Sequence, residues 1–304
     1  MPQRTYEIGS RKFGVELEVV YHLSMRDLAA ALRAAGITVA EVSYYGDAHN
    51  ARPTWKIVTD GSVSRGFEVV SPVLSGEEGL AEVARVCRAL VEAGATVDRS
   101  TGLHVHFDAA DLSATAIARF LGFYAKHEDS IDLLVAESRR SNANRYTKSL
   151  VSGGGSISAR VNEFLGQMRA VVADEARNGR AHAVDFLARR IFRGDRYFKV
   201  NVQSLFRHGT VEVRQHQGTV NATKVVAWVR LCGAMISRAV ASDTLRARQD
   251  RPGQDAHFRL KWLFNDTTTG ETRRFFSRRA RELRRAEGAR ANRAAMLPAA
   301  SAVA

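Results

Sequence analysis

Strict alternation of apolar and charged residues, recurring at separate places, constrains this sequence more than any other feature. In FGVELEVV, Val15, Leu17 and Val19 alternate with Glu16 and Glu18. An extended strand turns successive side chains to opposite faces, so one face suits a core and the other carries carboxylates. GLHVHF repeats the pattern with His104 and His106, FKVNVQ with Lys199, Asn201 and Gln203, and VEVRQH with Glu212, Arg214 and His216. Asp60 and Glu68 flank a turn at Asp60-Gly61 and can reach the same surface. One Glu-x-Glu strand is commonly just the solvated side of a half-buried sheet. Several such segments, each with chemically competent side chains two apart, point to one shared polar face.

Helical patterns separate these strands. The spacing predicts helices over residues 24–35, 76–93, 113–137, 157–191 and 221–240, the first two ended by Gly36 and Gly94. RYFKVNVQSL and GTVEVRQHQG, joined by a short turn at 207–209, read as a hairpin. Strands and helices in mixed order with a hairpin argue for an α+β fold with a mainly antiparallel sheet, not a doubly wound parallel one. No GxxxxGK[ST] or GxGxxG loop is present, and SGGGSIS reads as a linker.

Composition closes off other classes. Hydrophobic residues make up 45% and charged residues 25% of 304 residues, which excludes disorder over most of the chain. Cys87 and Cys232 alone cannot make a disulfide scaffold or a cysteine-based zinc site, and they suggest a reducing, cytoplasmic setting. No hydrophobic signal core opens the sequence, and the apolar run 225–236 is interrupted by Arg230, so no membrane role is expected. The net charge of +13 should attract polyanions. Much of it lies in TRRFFSRRARELRRAEGARANR, a solvated basic helix or arm, or else a contact for nucleic acid or another partner. The final MLPAASAVA is expected to be disordered.

A polar face rich in carboxylates, with imidazoles and several arginines, suits hard divalent cations such as Mg²⁺ or Mn²⁺. Arginine beside carboxylate and metal suits a phosphoryl group in transfer.

GVELEVV, TWKIVTDGSV, FEVVSPVL, STGLHVHFDAADLS and RYFKVNVQSLFRHGTVEVRQHQGTVN, in that order, resemble the amidoligase family over residues 13–228. These are carboxylate–amine ligases related to glutamine synthetase and glutamate–cysteine ligase. The resemblance implies a glutamine synthetase-like curved sheet flanked by helices, cradling ATP and two to three Mg²⁺ or Mn²⁺ ions. ATP would phosphorylate a carboxylate, and an amine would displace phosphate to give an amide and ADP. By the same resemblance Glu16 and Glu18 match the metal-binding Glu-x-Glu, and Asp60 and Glu68 two further acidic ligands eight residues apart. Gly102, His104 and His106 match a Gly-x-His-x-His element whose first histidine binds metal and whose second meets nucleotide phosphates. Glu212 corresponds to a metal ligand and Arg214 to a cation on the transferring phosphoryl group, with Arg196 and Asn201 before them. Arg139 and Arg140 would bind nucleotide phosphate or an acidic substrate, or else simply complement a helix C-terminus.

The implied organisation is a catalytic domain over 1–270, with an unmatched helical insert at about 152–193, then a basic helix or tail over 271–304. His216, Asp108 and Glu128 are candidate general bases, His216 fitting better as an orienting group. Partners would be a small-molecule or peptide carboxylate and an amine, with a glutamine amidotransferase as one source of ammonia. Rival readings are a guanidino-kinase-like phosphotransferase, a zinc hydrolase using His104 and His106, and a basic nucleic-acid-binding protein without catalysis.

Overall fold

The computed structural model describes residues 8–42, 53–59, 61, 66–241, 245–249, 251–268 and 270–296. Asp60 and the last eight residues, 297–304, lie outside the described residues. Seven strands form one sheet: β1 (Phe13–Val20), β2 (Val39–Val42), β3 (Trp55–Thr59), β4 (Gly66–Val70), β5 (Gly102–Asp108), β6 (Val200–Asn201) and β7 (Thr210–Gln217). Their order is β2-β3-β4-β1-β5-β7-β6. Only β2 and β3 run parallel; the other neighbours are antiparallel. The expected α+β class with a mostly antiparallel sheet is therefore the observed one.

Eight helices accompany the sheet among the described residues. They are α1 (Met25–Ala34), α2 (Gly76–Glu92), α3 (Ala114–Asp132), α4 (Ile157–Asp185), α5 (Ser204–His208), α6 (Ala222–Ala241), α7 (Ala256–Thr267) and α8 (Gly270–Met296). Ser24 caps α1: its hydroxyl accepts from Asp27 N, and the Asp27 carboxylate accepts from Ser24 N. The alternating apolar residues of the strands face α2, α3 and α6 in one core, with Val15, Leu17, Val105 and Val213 at 0 or 1% exposure. Full burial of each such side chain contributes about 1.5–3 kcal/mol, which fixes the strand faces and leaves Glu16 and His104 on the other side. The segment 157–171 is not peripheral to this core: Val161, Phe164, Leu165 and Met168 are buried with α3.

Three local features differ from the sequence expectation. The long helix stops at Asp132 rather than residue 137. Ala136 N, which a continuing helix would give to Asp132 O, donates instead to Gln217 Oε1 at 3.0 Å, and residues Glu137–Arg139 form a 3-10 turn. The hairpin is real, but β6 has only two residues and its connection is the helical turn α5. Asn201 Oδ1 accepts from Gln203 N, and the Ser204 hydroxyl donates to Thr210 O, so the chain curls before Gly209 reverses it at φ 65°. Third, Lys199 does not share a face with Asn201. It lies fully buried on the helix side, between Glu128 and Asp132 of α3.

Candidate active site

Strand register assembles the polar face. Glu18 stands opposite Glu68 across β1 and β4, Glu16 opposite His104 across β1 and β5, and His106 opposite Glu212 across β5 and β7. Asn201 of β6 closes the row opposite Glu212. Residues far apart in sequence thus become cross-strand neighbours, where side chains lie about 4.5–5.5 Å apart at Cβ.

The contacts converge on Glu16. Its Oε2 lies 2.9 Å from His104 Nδ1 and its Oε1 3.0 Å from His106 Nε2. His104 Nε2 is 3.5 Å from Glu18 Oε1, and its Nδ1 is 3.6 Å from Glu212 Oε1. Glu18 Oε2 accepts from Gly102 N at 2.6 Å. The fit around Gly102 is tight: a Cβ there would stand 3.0 Å from His104 Nε2 and 3.4 Å from Glu18 Oε2 and would crowd both side chains. Glu212 Oε2 accepts from Asn201 Nδ2 at 2.6 Å, and its Oε1 pairs with the Arg214 guanidinium. His106 Nδ1 rests 2.9 Å from Thr210 Oγ1.

Burial alone would neutralise these carboxyls, and their neighbours reverse that. Burial pushes Glu16 up, but His106 and His104 hold it well below the usual carboxylate range. Burial likewise raises Glu212, and Arg214 and His106 bring it below its ordinary value. Burial lowers His106, but Glu16 and Glu212 together raise it above the ordinary imidazole value. Against desolvation, Glu212, Glu16 and Glu18 keep Arg214 more firmly protonated. Arg139, whose burial is offset only in part by Glu18, is shifted down.

Above this floor lies a cavity of about 710 Å³. Glu16, Glu18, Glu68, His104, His106 and Glu212 line it, as do Arg139, Arg196, Asn201 and Arg214. Arg139 is 3% exposed and donates to Thr101 O. The Nε–H groups of Arg139 and Arg214 are buried and make no hydrogen bond among the described residues.

Arg140 is not brought to the cavity. It turns to Val135 O and to Glu287 of α8, 2.6 Å away. None of the three candidate general bases lines the cavity. Glu128 is behind the sheet with Lys199, and Asp108 caps the turn at Ala110 N. The sequence places His216 on the face of Glu212 and Arg214, but a β-bulge breaks the period there. Leu103 pairs with His216 while Val105 pairs with Val213, so β7 has an extra residue opposite His104. His216 packs 5.0 Å from the Trp228 ring, and burial pushes its pKa down to about 3.

Gln203, expected on this face, lines the cavity, and so do Tyr146, Tyr197 and Arg207, which the sequence did not single out. Tyr146 and Tyr197 meet edge-on at 5.3 Å, and Arg196 lies 5.1 Å over the Tyr197 ring. They stand in loops, where no period marks them; the one available signal is Tyr197 following Arg196 directly.

The floor fits divalent cations. Glu16, His106 and Glu212 bring one donor atom each within 4.8 Å of one another. That places His106 among the potential ligands beside His104. The carboxylate oxygens suit Mg²⁺ or Mn²⁺, whereas an imidazole nitrogen by itself suits softer metals such as zinc.

An α+β sheet whose polar face opposes carboxylates and imidazoles to arginines has the donor set of a cation- and anion-binding enzyme pocket. The family model described as "Putative amidoligase enzyme" matches residues 9–236, and the chain belongs to that family. It is accordingly an enzyme of the ligase kind. No curated protein matches the chain. No helix among the described residues is long and apolar enough to cross a membrane.

Proposed function

We propose that this chain is an ATP-dependent carboxylate–amine ligase on a glutamine synthetase-like sheet, forming an amide or peptide bond through an acyl phosphate and releasing ADP. One observation carries the reading. A single cavity opposes a convergent carboxylate–imidazole floor to two buried arginines, Arg139 and Arg214, whose Nε–H groups lack acceptors. A buried donor without a partner costs about 1–3 kcal/mol, which an anionic oxygen would recover.

Two to three Mg²⁺ or Mn²⁺ ions would screen the triphosphate and polarise the transferring phosphoryl group. Glu16, Glu18 and Glu212 hold them, with His104, Glu68 and Asp60 as the further ligands. His106 and Asn201 orient the nucleotide phosphates. Arg214, kept charged by Glu212, donates to the transferring phosphoryl group, and Arg139 and Arg196 donate to the remaining anionic oxygens. The terminal phosphoryl leaves ADP for a substrate carboxylate oxygen. The amine nitrogen then attacks the acyl carbon, a C–N bond forms, and phosphate departs with that oxygen and takes up the proton the amine loses. The substrates are a small-molecule or peptide carboxylate and an amine, with a glutamine amidotransferase as a fitting ammonia source. A cytoplasmic setting suits both ATP and the free, buried thiols of Cys87 and Cys232.

The test is incubation with Mg²⁺–ATP, hydroxylamine and, one at a time, amino acids, dipeptides and dicarboxylates. Equimolar ADP and hydroxamate with at least one carboxylate is expected. ADP accompanied by a stable N-phosphorylated product, without hydroxamate, would replace the ligase with a phosphotransferase.

A further inference from the structure

Helix α8 lies beyond the family match, which ends at residue 236. Its two faces are unlike. Phe276 and Ala280 are buried, Leu283 is half-buried and Glu287 reaches Arg140, all on one side. Arg274, Arg278, Arg281 and Arg285 recur at four-, three- and four-residue spacing on the other. At about 100° per residue these four point within roughly 60° of one another, along about 16 Å of helix. From 274 to 285 the exposed positions are Arg274, Arg278, Arg281, Glu282, Arg284 and Arg285. Glu282 lies 3.8 Å from Arg278, and its charge also acts on Lys224 and Arg279. Among the described residues no carboxylate pairs with Arg274, Arg281, Arg284 or Arg285.

We propose that the outward arginine face of α8 is a docking surface for the sugar–phosphate backbone of duplex DNA. Charge complementarity selects the partner: a duplex presents one phosphate charge per about 1.7 Å of axis, a dense and regular array for such a stripe. The face has no exposed apolar side chain to enter a bilayer, because the apolar side of α8 is turned into the protein. The contact proposed is with phosphates, which fixes position on the duplex and carries no sequence information. This surface is independent of the ligase reading and shares no residue with the cavity.

The test is fluorescence anisotropy of a labelled mixed-sequence DNA duplex, titrated with the full chain from 50 to 200 mM salt. Wild type should bind, and the fourfold variant Arg274→Gln/Arg278→Gln/Arg281→Gln/Arg285→Gln should bind at least tenfold more weakly at the lowest salt. The slope of log affinity against log salt should flatten by about 3.6, since each of the four phosphate contacts contributes about 0.9. The fourfold Arg→Lys variant should keep the wild-type slope. Should the Gln variant lose its thermal transition, the double variant Arg281→Gln/Arg285→Gln should still flatten the slope by more than one. Equal slopes in wild type and both Gln variants would overturn the proposal. So would absence of binding at 50 mM salt, or variant-sensitive binding to phosphatidylserine vesicles without any to DNA.

Discussion

Two collections of buried charge lie on opposite sides of the same sheet, and they are completed differently. Behind it, Lys199 Nζ donates to Glu128 at 2.9 Å and to Asp132 at 2.7 Å. The remaining oxygens are taken too: Leu150 N donates to Glu128 Oε2, Ser141 N to Asp132 Oδ2 and Gln215 to Asp132 Oδ1. Tyr124 in turn donates to Gln215 Oε1. Among the described residues, both oxygens of Glu128 and both of Asp132 are thus paired. On the front face, Glu16, His106 and Glu212 converge on one point, and Arg139 and Arg214 keep unpartnered Nε–H groups. Both clusters contain carboxylates and cations, so residue type does not separate them. Completeness of pairing does: a closed network specifies packing, and an open one implies a ligand.

The contrast breaks most visibly at Lys199. Lys199→Met should destabilise the chain by about 3–5 kcal/mol, because it strands two buried carboxylates. Urea unfolding would read it, and a loss below about 1 kcal/mol would mean the rear network is not closed as described.

His216 tests the rear side by pH. Its native pKa, pushed down to about 3 by burial, lies well below the ordinary imidazole value. The unfolded chain therefore binds the proton first, so the stability contributed by neutral His216 is full above about pH 6.5 and is lost as pH falls toward the native value. At pH 5 the loss amounts to about 2 kcal/mol. His216→Gln should shrink the difference in unfolding free energy between pH 7 and pH 5 by that amount. An unchanged difference would place His216 in contact with solvent or the cavity.

The smallest effect belongs to the brace between α8 and the turn that holds Arg139. The Arg140–Glu287 pair is partly exposed, so Glu287→Ala should lower stability by only about 0.2–1 kcal/mol. A larger loss in thermal denaturation would make that ion pair part of the buried scaffold.

Much of this arrangement was legible in the sequence. The alternation of Glu16, Glu18, His104, His106, Glu212 and Arg214 is local, and so is the apolar stripe of α2. What stayed hidden is set by distant partners. The bulge that turns His216 to Trp228 depends on how β7 meets β5. The early end of α3 depends on Gln217 capturing Ala136 N. Arg139 and Arg140 are adjacent and chemically identical, yet one reaches Thr101 O and the other Glu287. No pattern within SRRSNANRY could distinguish them.

The most direct test of the open front face is calorimetric titration of ATP into wild type and Glu18→Gln, with and without Mg²⁺. Gln keeps an oxygen for Gly102 N and removes only the charge. Mg²⁺-dependent binding by wild type, weakened at least tenfold (about 1.4 kcal/mol) in a variant with unchanged thermal stability, is the predicted result. Equal affinity in both proteins, or wild-type binding indifferent to Mg²⁺, would contradict the assignment of this face to metal and nucleotide.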